Sequence, residues 1–299
     1  MSSTNFRTLL AGPGVVIQSG SLSFRLYSDV PMVADGVHHL YHHHPVITDG
    51  FADFSVQVTP PRSLRRWLGR QVRFRHNGAS AFLPLPYAQA LPLLEWGLNW
   101  CVYEHVHDRL VLHAAVVEND ERALIIPAPP GSGKSTLVAS LCYSGWRLLS
   151  DELALLTLSS GEVEGLCRPI SLKNASIGVM REFAGAEPFS PTVTDTIKGD
   201  VALMRPPRES VERASTPAKP FGIVFPMFVA GAAPFMKELG SAMAFRHLLE
   251  SAFNLAVLRE DGFGVLADLV ERCRCFQIEY GSLADGMALV QEIHELGKA

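Results

Sequence analysis

Ala128–Thr136 reads APPGSGKST. Ahead of it stands an apolar run of strand length, ALIIPA (123–128), and behind it KSTLVASLCYSG (134–145) reads as a helix. A strand, a glycine-rich turn and a helix in that order make a phosphate cradle out of a short string: a small residue, four free positions, then Gly-Lys-Ser/Thr. Ala128 takes the first position, where glycine is usual, and adds one methyl. The expected nucleotide contacts are Pro130, Gly131, Ser132, Gly133, Lys134, Ser135 and Thr136. Gly131 and Gly133 let the backbone turn its N–H groups inward. Lys134 reaches the β- and γ-phosphates and Ser135 offers a hydroxyl to Mg2+, all at a helix N-terminus that favours anions.

The strand WRLL (146–149) runs into Ser150, Asp151 and Glu152, with Asp151 seventeen positions after Lys134. One carboxylate can hold the metal and the other can take a proton from an attacking hydroxyl, the two roles phosphoryl transfer needs beyond positioning. Neighbours in a strand face opposite sides, so both acids reach one site only if a turn lies here. A solvated acidic turn is the plainer alternative. His113 lies in VLHAAVV (111–117), read as one strand ahead of the loop strand; alone among apolar residues it would be a hydrogen-bonded core histidine. Lys198 and Arg205 are candidate catalytic cations that would clamp a transferring phosphoryl group, with surface solvation the alternative for each. Phe225, Pro226 and Met227 read as strand core rather than a base-stacking platform.

Taken in order, LHAAVVE (from Leu112), PAPPGSGKSTL (from Pro127), GWRLLSDELALL (from Gly145), RPISLKN (from Arg168) and DTIKGDVALMRPP (from Asp195) resemble the HPr kinase/phosphorylase group, most closely its branch of HPr kinase-related kinase A. The resemblance implies an α/β protein: a P-loop kinase domain at 107–299, similar to HPr kinase and phosphoenolpyruvate carboxykinase, behind an α+β module at 1–106. It implies ATP and Mg2+ as cofactors, a serine hydroxyl on a small protein as acceptor, and a homo-oligomer. Carried over residue by residue, His113 is the active-site histidine, Lys134 and Ser135 belong to the P-loop, and Asp151 and Glu152 are the paired acids, read as base and metal ligand respectively. The family normally has aspartate at the second acid, so Glu152 keeps the charge and reaches farther. The family's later acidic, glycine-paired signature is not visible in RPISLKNASIGVM, where Lys173 and Asn174 stand, and reverse phosphorolysis is not carried over.

The rest of the chain sets limits. With 299 residues there is length for one large or two modest domains. A net charge of -4 gives no reason to expect nucleic acid or an anionic membrane as partner. The five cysteines form no zinc-type pairing, which fits reduced thiols in the cytoplasm. The apolar run from Phe221 to Phe235 is too short and proline-broken to span a membrane. MSSTNFRTLL lacks the pattern of a secretory signal. Within 14–106, SLSFRLY and DFSVQV alternate as strands, Asn77-Gly78 marks a hairpin, and 87–108 has helical spacing. In HHLYHHH (38–44), His38 with His42 or His39 with His43 would share a helix face, without an evident third ligand. RPPRESVERASTPAKP (205–220) reads as an exposed loop.

These readings converge on an ATP-dependent kinase acting on a serine or threonine hydroxyl of a small protein or ribosomally made peptide encoded nearby, with the N-terminal module positioning the acceptor. A small-molecule hydroxyl kinase and a regulatory ATP-binding protein with slow hydrolysis are the alternatives. The acid pair with His113 separates kinase from switch, because a switch needs no base for an acceptor hydroxyl.

Overall fold

The structure is a computed structural model and describes residues 2–61 and 70–298. The first part comprises α1 (Ser3–Ala11), β1 (Val15–Ser19), β2 (Leu22–Tyr27), α2 (Pro31–Leu40), β3 (Val46–Ile47), β4 (Phe54–Thr59), β5 (Gln71–His76), β6 (Ala79–Ser80), β7 (Leu85–Pro86) and α3 (Ala90–His105). Its strands form one sheet in the order β3-β1-β2-β4-β5-β6, with β7 also on β5. The period-2 burial of Phe54, Val56 and Val58 in β4 faces the helices. Asn77 and Gly78 both take positive φ, as the hairpin between β5 and β6 requires. Helix α1 had no signal in the sequence reading; Ser2 caps it and Phe6 and Leu10 anchor it.

The second part continues with β8 (Arg109–Leu112), β9 (Ala114–Asn119), β10 (Arg122–Pro127), α4 (Lys134–Cys142), β11 (Arg147–Ser150), β12 (Ala154–Thr157), β13 (Val163–Glu164), β14 (Ile170–Lys173), α5 (Ala175–Ala184), β15 (Val193–Thr196) and β16 (Gly199–Met204). Then follow α6 (Arg208–Glu212), β17 (Lys219–Phe228), β18 (Phe235–Leu239), α7 (Ser241–Leu249), α8 (Leu255–Arg272), β19 (Arg274–Tyr280) and α9 (Leu283–Leu296). The central sheet runs β11-β9-β10-β17-β19-β18, with β10, β17 and β19 parallel. Strands covered on both faces read as continuous apolar runs. Accordingly Leu124 and Ile126 of β10 enter the core under α4 and α9, while Ala123 and Ile125 enter the core under α8. Two three-stranded sheets, β13-β12-β8 and β14-β16-β15, flank it. Among the described residues no helix is long and apolar enough to cross a membrane.

Three readings are corrected. VLHAAVV is two strands, not one: the chain breaks at His113, with β8 in a flanking sheet and β9 in the central one. The cause is residues 251–254, whose Ser251 carbonyl accepts the His113 N–H at 2.7 Å and whose Asn254 side chain binds the backbone at Val106, Arg109 and Val111. The stretch 205–220 is not simply an exposed loop, because α6 buries Ser210, whose hydroxyl accepts from the Leu148 N–H of β11 at 2.9 Å. Met227 is not core; β17 ends exposed at Met227 and Phe228.

The two parts are packed together. The first core takes in Val111, Leu153, Leu155, Leu166 and Leu203 from beyond residue 106. Helix α2 stops at Leu40, so the histidine run is half helix and half turn, and among the described residues no group of three or more His, Cys, Asp or Glu side chains is placed to hold a metal. His44 is buried and donates from Nε2 to the Cys167 carbonyl at 2.6 Å, while its Nδ1 finds no hydrogen-bond partner among the described residues. Burial holds its imidazole down to about 4. Below about pH 6.5 the unfolded chain binds a proton that the folded protein refuses until about pH 4. Stability is therefore lost as pH falls through that window, by about 3 kcal/mol at about pH 4. Urea titrations across the window should show this slope in the wild type and lose it in His44→Gln, which keeps the N–H donor without the titration; equal slopes would refute it.

Candidate active site

The centre of the site is the turn from β10 into α4. Gly131 and Gly133 have φ of +87° and +86°, a region open to glycine at little cost, and α4 starts directly after, at Lys134. A methyl on Gly133 would lie 2.8 Å from the Tyr280 hydroxyl and 2.9 Å from Phe228 Cβ, so glycine is needed there for space as well. The end of β17 pins the turn, with the Phe228 N–H donating to the Ser132 carbonyl at 3.0 Å. Lys134 is buried, and neither its ammonium nor the Ser132 hydroxyl has a hydrogen-bond partner among the described residues.

Asp151 and Glu152 stand in a turn. The Ser150 hydroxyl accepts from the Leu153 N–H at 3.1 Å and closes the chain around Asp151 and Glu152 as β11 ends. Asp151 is only 4% exposed; its Oδ2 accepts from the Ser171 N–H at 3.0 Å, and its Oδ1 has no partner among the described residues. Burial, with the neighbouring Glu152 charge, pushes its carboxyl above the usual range against the pull of Lys134. Glu152 goes the opposite way. Burial would raise it, but the hydrogen bond to His113 and the charges of Lys134 and Lys173 outweigh that and hold it far below the carboxylate range. Its Oε2 lies 3.1 Å from His113 Nε2 and its Oε1 3.8 Å from Lys173 Nζ.

The break between β8 and β9 therefore matters to the site, since it frees His113 from a ladder and turns it onto Glu152. Lys198, at the tip between β15 and β16, lies with Nζ 5.1 Å from the centre of the Trp96 ring. Partial burial depresses its ammonium, the Glu152 charge opposes this, and Lys173 and Lys134 add to it, so these groups share one electrostatic environment. Arg205 is not gathered here. It forms an ion pair with Glu187 at 2.5 Å and reaches the His39 carbonyl, so its guanidinium is already committed. Lys173 and Ser171 were not read as site residues, although the alternation of ISLK puts them on one face of β14. Phe228 and Tyr280 were also missed, because only the parallel pairing of β17 with β19 brings them to the loop.

No family model and no curated protein matches the chain. Among solved structures, the HPr(Ser) kinase/phosphatase from Coxiella burnetii is similar over 62% of this chain and 97% of its own, at 12% identity and a TM-score of 0.28.

The geometry makes Glu152 dependent on its histidine. His113→Ala should move the Glu152 carboxyl up toward the ordinary range, because it removes a hydrogen bond to the charged form and leaves burial unopposed by it. Carbon-13 detected carboxyl titration reads this directly; an unchanged Glu152 midpoint would show that the lysines alone hold it.

Proposed function

We propose that the protein is an ATP-dependent kinase that transfers a phosphoryl group to a serine or threonine hydroxyl of a small protein or ribosomally made peptide. The observation that carries this reading is the meeting of a buried Lys134 at a helix N-terminus, its ammonium without a hydrogen-bond partner among the described residues, with two adjacent acids whose environments push their proton affinities apart. Separated affinities on neighbouring carboxylates suit a division into base and permanent anion.

The residues fit a nucleotide and its metal. Gly131 and Gly133 shape a turn whose backbone N–H groups would surround phosphate, Lys134 offers an ammonium with no internal partner among the described residues, and Ser135 with Glu152 would hold Mg2+. ATP would supply the phosphoryl group, and Mg2+ held there would neutralise its charge. Asp151, its proton affinity raised and its Oδ1 without a hydrogen-bond partner among the described residues, would accept the proton of the acceptor hydroxyl as the new O–P bond forms and the bond to the leaving oxygen breaks. Its Oδ2 is held by the Ser171 N–H, which fixes the carboxyl plane. His113 and Lys173 keep Glu152 anionic and oriented. Lys198 would supply a cation to charge developing on the transferred group.

Asp151→Asn should lower transfer roughly a thousandfold and leave nucleotide affinity nearly unchanged, as loss of a general base does. Lys134→Ala should abolish both. Mass spectrometry of the protein with ATP, Mg2+ and peptides encoded beside its gene reads the transfer, and calorimetry reads the affinity. If Asp151→Asn instead binds ATP poorly, the base assignment falls and Asp151 is a metal ligand.

A further inference from the structure

A cavity opens beside Asp151, and both parts of the chain wall it: Trp96 and Asn99 of α3 on one side, Arg168 and Ser171 on the other, with the two acids. Four of these residues carry a buried polar atom with no hydrogen-bond partner among the described residues. They are Trp96 Nε1, Arg168 Nε, Ser171 Oγ and Asp151 Oδ1. Arg168, Ser171 and Asp151 are each more than nine-tenths buried. Buried polar atoms call for hydrogen-bond partners, and four of them around one space mark it as a place where polar groups are bound.

Their chemistry is not uniform. The indole and guanidinium N–H groups only donate, an ionised Asp151 only accepts, and the Ser171 hydroxyl does either. The set thus asks for a ligand that donates at one point and accepts at another. A hydroxyl satisfies Asp151, and a nearby carbonyl or carboxylate oxygen satisfies Trp96 and Arg168. The rest of Arg168 is already used, on Glu95 at 3.3 Å and on Asn99, which leaves its Nε–H as the free donor.

We propose that this cavity is the acceptor subsite, and that it recognises a hydroxyl together with a neighbouring carbonyl or carboxylate oxygen on the same molecule. The proposal rests on the phosphoryl-transfer reading for its name and goes beyond it in assigning acceptor recognition to Trp96, Arg168 and Ser171. The hydroxyl donates to Asp151 Oδ1, and the second oxygen accepts from Trp96 Nε1–H and Arg168 Nε–H. Lys198 lies over the Trp96 ring, with Nζ 5.1 Å from its centre. A serine within a peptide and a free hydroxy acid share this chemistry.

Ligand-observed NMR titrations without nucleotide test it, using N-acetylserinamide, glycerate and, as a hydroxyl lacking the second oxygen, propanol. Saturable binding of one or both of the first two, with none for propanol, is expected, and which of them binds identifies a peptide or a hydroxy-acid acceptor. Trp96→Phe, which keeps a ring beneath Lys198, and Ser171→Ala, which keeps the backbone N–H on Asp151, should each weaken binding about tenfold, as loss of one buried hydrogen bond does. ATP affinity should not change in either. Propanol binding equally well, no saturable binding of any of the three, or unchanged binding in both variants overturns the proposal. If the two probes bind as described while wild type and Lys134→Ala are equally silent in ATP-dependent transfer, the recognition chemistry stands and the kinase reading is what fails.

Discussion

The ion pair between Glu95 of α3 and Arg168, just ahead of β14, is the constraint from which the geometry of the site follows. Both side chains are nearly dry, and charges in such a place persist only when fully paired. Glu95 accepts from Arg168 and from the Tyr41 hydroxyl at 2.7 Å, and Asn99 accepts from the other arm of the guanidinium. Burial raises the Glu95 carboxyl while Arg168 and the Tyr41 hydrogen bond draw it back. Leaving one partner alone would cost about 3–5 kcal/mol, so α3 and the start of β14 have a single register. Gly20 seals the same junction: a methyl there would sit 1.7 Å from the Gly165 carbonyl oxygen. Because Ser171 lies three residues beyond Arg168 and its backbone N–H holds Asp151, that register is passed directly to an acid of the site.

Two adjacent acids in one turn acquire opposite properties from what each touches. Asp151 points into the protein and meets one backbone N–H; Glu152 lies at the boundary and meets a histidine and lysines. The same ionic neighbours act on both, and depth of burial with local hydrogen bonding decides the sign for each. The longer glutamate side chain is what lets the second acid reach His113, which stands across the site on a break between two sheets.

The local parts of this arrangement were legible in the residues. Alternation and apolar runs located β2, β4, β10 and β11, Asn77-Gly78 marked a hairpin, and the glycine-lysine string marked the start of α4. The turn at the acids was expected only on the condition that both reach one site, and the structure has it, closed by the Ser150 hydroxyl. What was not readable depends on contacts distant in sequence. Nothing near VLHAAVV announces a break, since the cause lies at 251–254. Arg205 has the right charge for a clamp, but Glu187 reaches it first, and the partner of a cation is invisible in composition. Trp96 looks like one more apolar position on α3 until the fold sets it against Lys198.

The charge balance of the site argues for an anion of more than one charge. Lys134, Lys173 and Lys198 all act on Glu152, which also engages His113, while Asp151 has its ionised form disfavoured by burial. With Asp151 neutral, three ammonium groups face one carboxylate, and with it ionised they still exceed two. A protein builds such an excess at a cost, because like charges repel and partly buried ammonium groups lose hydration. Lys198 shows that cost in its depressed proton affinity. Under the proposed reading, a polyphosphate would relieve that repulsion, and its negative charge would raise the proton affinity of Asp151 further. Under that reading, anion binding and the proton affinity of Asp151 would be coupled through the same lysines.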